Sequence, residues 1–196
     1  MKLLTFVDIH GNKKRISEII KKSKNADLLV CAGDISTWAS KLKSLINNFK
    51  PTKKPLLIIH GNHEYEEEIK EACKNKPHVI PIHLKAFILN NYFIFGYGGG
   101  GFSEYDQKLE KLIPKIKKQA KSKKVIFVTH APPYNTKIDL LQGLGHRGSK
   151  SIRKFIKEVK PILHICGHFH ETAEKKDKLG KTTIINPGPK GKLIKI

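Results

Sequence analysis

Five short apolar runs in this chain each stop at a residue able to bind a cation or move a proton. Leu3–Val7 leads into Asp8-Ile9-His10, and Asp27–Ala32 into Gly33-Asp34. Leu56–Ile59 leads into His60-Gly61-Asn62-His63-Glu64, Lys124–Val128 into Thr129-His130, and Ile162–Cys166 into Gly167-His168-Phe169-His170. Short apolar, β-prone runs of this kind read as strands buried on both faces, as in a parallel sheet covered by helices. Ligands bind such sheets beyond the carboxyl ends of the strands. The polar residues fall there, so one pattern points both to an α/β class and to the place of a site.

The segments between the runs complete the reading. Lys13–Ser23 places Ile16, Ile19 and Ile20 on one helical face and lysines on the other, with Asn12 as its N-cap. Ser36–Phe49 is expected as a helix with Trp38, Leu42, Leu45, Ile46 and Phe49 on one face, and Glu64–Lys76 as an acid-first helix. The rhythm then changes. Val79–His83, Ala86–Leu89 and Tyr92–Tyr97 are short strands in quick succession, and Asn90-Asn91 reads as a hairpin turn. That argues for a second sheet with antiparallel pairing. Gly98–Gly101 lacks a dinucleotide-binding register and reads as a flexible loop near the site. A helix is expected over Ser103–Ser122, interrupted or shifted at Pro114, and an amphipathic one over Ser149–Lys160. Between them, Tyr134–Gly148 is a long irregular loop holding Asp139, His146 and Arg147. Thr182–Ile185 and Lys192–Ile196 read as closing strands. With no repeat and no linker, residues 1–196 are expected to form one domain.

Composition narrows the class. No apolar run approaches the roughly 20 residues of a membrane helix. The N-terminal apolar run, with one lysine before it and Asp8 after it, lacks the pattern of a signal peptide. Cys31, Cys73 and Cys166 are odd in number and far apart, and Cys31 and Cys166 lie in apolar runs; buried thiols in a reducing, cytoplasmic setting are expected. The formal charge is +21, yet all but Arg15, Arg147 and Arg153 of the 38 basic side chains are lysine. Scattered lysine reads as a solvated surface that steers anionic substrates, whereas specific nucleic-acid readers rely on arginine.

The residues at the run ends form a donor set: Asp8, His10, Asp34, Asn62, His130, His168 and His170. Seven nitrogen and oxygen donors without a thiolate suit manganese, iron, zinc, nickel or cobalt in a reactive site. One cation takes four to six of them, so the set points to two cations with a shared carboxylate. Two cations can clamp a phosphoryl group and acidify a bridging water for in-line hydrolysis. On extended chain, residues two apart point the same way, so Asp8 with His10, and His168 with His170, are each expected to face one point.

The order D-x-H, G-D, G-N-H-E, H, G-H-x-H resembles the calcineurin-like metallophosphoesterases over nearly the whole chain. The resemblance implies a four-layer α-β-β-α sandwich of two mixed sheets flanked by helices. It implies one metal on Asp8, His10 and His170, another on Asn62, His130 and His168, and Asp34 bridging. His63 would contact the phosphate and protonate the leaving oxygen. The stretches Thr129–Pro133, Gly145-His146-Arg147-Gly148 and Gly167–Glu171 look similar to the cyclic-nucleotide-phosphodiesterase-like and brain-type subgroup. That similarity puts His146 and Arg147 over the site as substrate contacts. The expected activity is metal-dependent phosphodiester hydrolysis of a small substrate, such as a nucleotide, with manganese as the first choice of metal. The alternatives are a phosphomonoesterase and a non-catalytic metal-binding scaffold on the same fold. A nuclease is the reading suggested by charge alone.

Overall fold

A computed structural model describes residues 1–196. In chain order the elements are β1 (Lys2–Phe6), α1 (Lys13–Ser23), β2 (Leu28–Cys31), α2 (Leu42–Asn47), β3 (Leu56–Ile58), α3 (Glu66–Cys73), β4 (Val79–Pro81), β5 (Ala86–Leu89) and β6 (Tyr92–Tyr97). Then come α4 (Gln107–Gln119), β7 (Lys124–Thr129), β8 (Leu140–Leu141), β9 (Gly145–His146), α5 (Lys150–Val159), β10 (Leu163–Ile165), β11 (Lys176–Leu179), β12 (Thr182–Ile185) and β13 (Lys192–Lys195).

Period-two alternation within the apolar runs builds two sheets and three apolar layers. In the first sheet β1, β2, β3 and β4 run parallel, and β13 pairs antiparallel on β1. In the second, β12, β10, β7 and β6 run parallel, and β11 and β5 are antiparallel edges. Leu28, Val30, Leu57 and Ile59 meet Ile94, Ile126, Val128 and Ile165 between the sheets. Their neighbours Leu29, Cys31, Leu56 and Ile58 face outward onto Ile16, Leu45 and Ile69 of α1, α2 and α3. On the far side Phe93, Phe95, Val125 and Phe127 pack on Ile113 and Phe155 of α4 and α5. Each fully buried side chain of this size is worth roughly 2 kcal/mol. The result is the expected four-layer sandwich of two mixed sheets flanked by helices. No helix is long and apolar enough to cross a membrane.

Local expectations hold where the chemistry is local. Asn12 Oδ1 accepts from the Arg15 N–H at 3.1 Å and caps α1. The Asn90-Asn91 turn joins Leu89 directly opposite Tyr92, with Asn90 at φ 52°. Two expectations fail, and one strand arises where none was expected. The helix expected over 36–49 is only Leu42–Asn47, because Trp38, Ala39 and Lys41 sit at φ 50°, 54° and 55°, outside any right-handed helix. Pro114 does not interrupt α4: it lies on the exposed face, where the carbonyl it leaves unbonded meets water, while Ile113 and Ile116 hold the helix down. And β11 arises in Lys176–Leu179, a lysine-rich edge with no apolar signal of its own.

Candidate metal centre

The carboxyl ends of β1, β2 and β3 in one sheet and of β7 and β10 in the other open onto one cleft. Asp8, Asp34 and His130 form its buried floor, and Asn62, His63, His168 and His170 stand toward its mouth. The expected donors come together in two groups. Asn62 Oδ1 lies 2.9 Å from both His130 Nε2 and His168 Nδ1, and Asp34 Oδ2 is 3.4 Å from His130 Nε2. In the other group the donor atoms of Asp8, His10 and His170 all lie within 4.8 Å of one another, and His10 Nε2 is 3.2 Å from His170 Nε2.

Asp34 joins the groups through a single oxygen. Its Oδ2 faces His130 on one side and His10, at 3.8 Å, on the other. Its Oδ1 accepts the His63 backbone N–H at 3.0 Å. Side chains on neighbouring strand ends therefore converge by different means than the extended-chain argument supposes. Asp8, His10 and His168 have φ of 56°, 48° and 71°, so the chain turns sharply at each. His168 and His170 diverge, one toward Asn62 and the other toward His10.

Donor spacing and electrostatics both fit cations. Atoms held about 2.1 Å from one octahedral cation sit about 3 Å apart, as Asn62 Oδ1 does from His130 Nε2 and from His168 Nδ1. Asp8 Oδ1 and His168 Nε2 are buried without a hydrogen-bond partner. His130 Nδ1–H donates to the Ala32 carbonyl at 3.0 Å, which turns Nε2 toward Asp34 and Asn62. Burial pushes the Asp8 carboxyl up to about 6, with the nearby Asp34 charge adding to the rise against His130 and His170. Burial also works to raise Asp34, but His130, the His63 backbone N–H and His10 outweigh it and hold it at about 2. Burial opposes charging of His130 too, yet Asp34 and Asp8 raise its affinity for a proton. Burial first, then His130, lowers His168 to about 4, leaving a neutral imidazole donor. Two carboxylates sharing a buried floor this way are relieved by bound positive charge.

His63 stands at the edge of the donor set. Its Nε2 is 3.9 Å from Asp34 Oδ2 and its Nδ1 is buried and unpartnered. His63, His10 and Asp34 also form a group close enough to share a cation, so its place in space does not by itself separate proton donor from ligand. His146 and Arg147 lie elsewhere in the bonding pattern. His146 Nδ1 is 2.8 Å from Asp139 Oδ1, the Arg147 N–H donates to the Asp139 carbonyl, and no polar contact of either residue reaches the seven donors. Asp139, fully buried, orders the loop by accepting from the N–H groups of Asn135, Thr136 and Gly148. The loop contains the small β8–β9 hairpin and is not irregular throughout.

Two residues that sequence reasoning assigned elsewhere shape the cleft. Glu64, expected to open a helix, is 3% exposed and precedes α3. Its carboxylate accepts from the N–H groups of Asp34, Ser36 and Gly61 at 3.1, 2.7 and 3.1 Å and from Ser36 Oγ at 2.9 Å. It thereby ties the turn after β2 to the turn after β3. Gly61 is required there, since a Cβ would strike Asp34 Oδ1. Trp38, expected on the buried face of a helix, is instead exposed beside His63, with ring centroids 4.4 Å apart.

A family model for calcineurin-like phosphoesterases matches residues 1–172. The chain belongs to that family. Its members are hydrolases that depend on a dinuclear metal centre and act on small phosphoesters. An uncharacterized protein of Methanocaldococcus jannaschii, MJ1162, is 32% identical over 210 residues, spanning 99% of this chain and 91% of the relative. Among solved structures, TT1561 of Thermus thermophilus superposes with a TM-score of 0.77 at 17% identity, over 95% of this chain and 88% of the other. A dimetal phosphatase from Danio rerio superposes at 0.69 and 9% identity, over 94% and 86%. At such identities these two structures show the shared fold.

Proposed function

We propose that this phosphoesterase is a phosphodiesterase acting on a small substrate. Asp8, His10 and His170 would hold one divalent cation, Asn62, His130 and His168 a second, and Asp34 Oδ2 would serve both. Bound there, the cations would supply the positive charge that draws in a phosphoryl group and makes a water acidic enough to attack at neutral pH. Manganese is the first choice; iron, zinc, nickel and cobalt suit the same donors.

The observation that carries the reading is the single Asp34 oxygen set between two groups of donors. The rest follows from this chain's side chains. His130, fixed by the Ala32 carbonyl, presents one nitrogen only. His63, at the mouth and unpartnered at Nδ1, is free to carry a proton to the departing oxygen. The diester preference rests on charge: no lysine or arginine bonds to any of the seven donors or to His63. A singly charged diester needs less cationic help than a doubly charged monoester. The three cysteines are buried and unbridged, which supports a reducing compartment such as the cytoplasm. Residues 1–196 are taken as one domain, since β13 returns to β1.

Metal-stripped protein given Mn²⁺ is expected to hydrolyse an aryl phosphodiester faster than the matching monoester. His63→Ala and Asp34→Asn are expected to lower that rate by at least about a hundredfold. Preference for the monoester would make the protein a phosphatase with the same site. No turnover of either ester by metal-loaded protein would favour the scaffold reading.

A further inference from the structure

Trp38 is the sole tryptophan of the chain, and 74% of it is exposed. One part of its indole rests on His63, tilted 51° at 4.4 Å, and the remainder faces solvent. A large apolar ring left in water next to a reactive histidine is a cost unless something covers it. The backbone is committed to this placement. Trp38 and Ala39 both take positive φ, a conformation that disfavours side chains with a Cβ, and the Ala39 N–H holds the turn by donating to the His63 carbonyl at 3.0 Å. Ser36, two residues before Trp38, is clamped by Glu64. The ring is thus positioned before any substrate arrives. At the other rim of the cleft Phe102, 71% exposed, meets His168 edge-on at 4.8 Å.

We infer that Trp38 is a stacking platform for a planar aromatic group on the leaving side of the substrate, so that the substrate class is a nucleotide phosphodiester whose base lies on the indole. This rests on the phosphodiesterase reading given above. His63 reaches the departing oxygen, so the group attached to that oxygen lies next to the ring on which His63 leans. Stacking suits any base, because every base has a π-face, and it leaves the metal donors free. Phe102 is placed to face the opposite end of the substrate.

The test compares adenosine 2′,3′-cyclic phosphate with the cyclic phosphate of 1-O-methylribose, which carries the same reacting bond without a base. Mn²⁺-loaded protein is expected to favour the nucleoside diester about tenfold in kcat/KM, mainly through KM. Trp38→Ala is expected to bring that ratio near one, and Trp38→Phe to keep most of it. Tryptophan fluorescence gives a second readout: adenosine monophosphate is expected to quench Trp38 at concentrations where ribose 5-phosphate does not. A wild-type ratio near one, or equal quenching by the two phosphates, overturns the platform. If neither cyclic diester is turned over, the phosphodiesterase reading fails separately, and the quenching comparison still decides whether Trp38 binds a base.

Discussion

Glu64 accepts hydrogen bonds from two turns that carry Asp34, Asn62 and His63, and it does so almost without solvent. Glu64→Ala would strand buried N–H groups of Asp34, Ser36 and Gly61, so it is expected to cost about 3 kcal/mol or more in chemical denaturation. Loss of less than about 1 kcal/mol would mean that water or backbone shifts replace the carboxylate. The donor set itself was legible residue by residue, because Asp, Asn and His at the ends of apolar runs have few structural reasons to recur. The role of Glu64 was not legible: as the first acid before Glu66-Glu67-Glu68 it passes for a helix start. Only the tertiary pairing of two turns reveals that its side chain points inward. Trp38 was misread for a related reason. Its spacing from Leu42, Leu45 and Ile46 fits a helical face, and periodicity is blind to three left-handed residues that hold off the start of the helix until Leu42.

Strand β10 carries a second buried titratable group, and it acts on the element that presents His130. The Thr129 hydroxyl donates to the Ala131 carbonyl at 2.6 Å, so at 2.8 Å it must accept from His164 Nε2–H. His164 Nδ1 then stays unprotonated and unpartnered, and burial lowers the ring to about 3. An unfolded histidine titrates near 6.5. Between these values the unfolded chain binds the proton and the folded one does not, so stability falls as pH drops below about 6.5 and is unaffected by this ring above it. At pH about 4.5 the ring's share of that loss is roughly 2–3 kcal/mol. His164→Gln should therefore lose about 2 kcal/mol less than the native chain between pH 7.5 and 4.5, as read by denaturant unfolding. Equal losses would show that His164 does not titrate this way. At this scale the strands were readable because burial on both faces makes each run almost wholly apolar. The charged edge β11 was not, since its partner β12 supplies the pairing and its own residues supply no pattern.

Across the whole molecule, 38 basic side chains face 17 acidic ones, and six ion pairs join lysine or arginine to glutamate. Several are exposed and contribute little. Self-repulsion should then dominate, so raising salt from about 10 to about 150 mM is expected to raise Tm by a few degrees. A falling Tm would mean that attractive pairs outweigh the repulsion. The layered architecture was legible at this scale from strand-helix rhythm and motif order. The way the turn at His168 sends His168 and His170 toward separate points was not, because alternation along an extended strand stops applying where φ becomes positive. Whether two cations share the Asp34 oxygen is read from the amount of Mn²⁺ retained per chain by stripped and reloaded protein, beside Asp34→Asn. Two per native chain and at most one in the variant are expected; one per native chain, or no change on substitution, would rule out the shared oxygen.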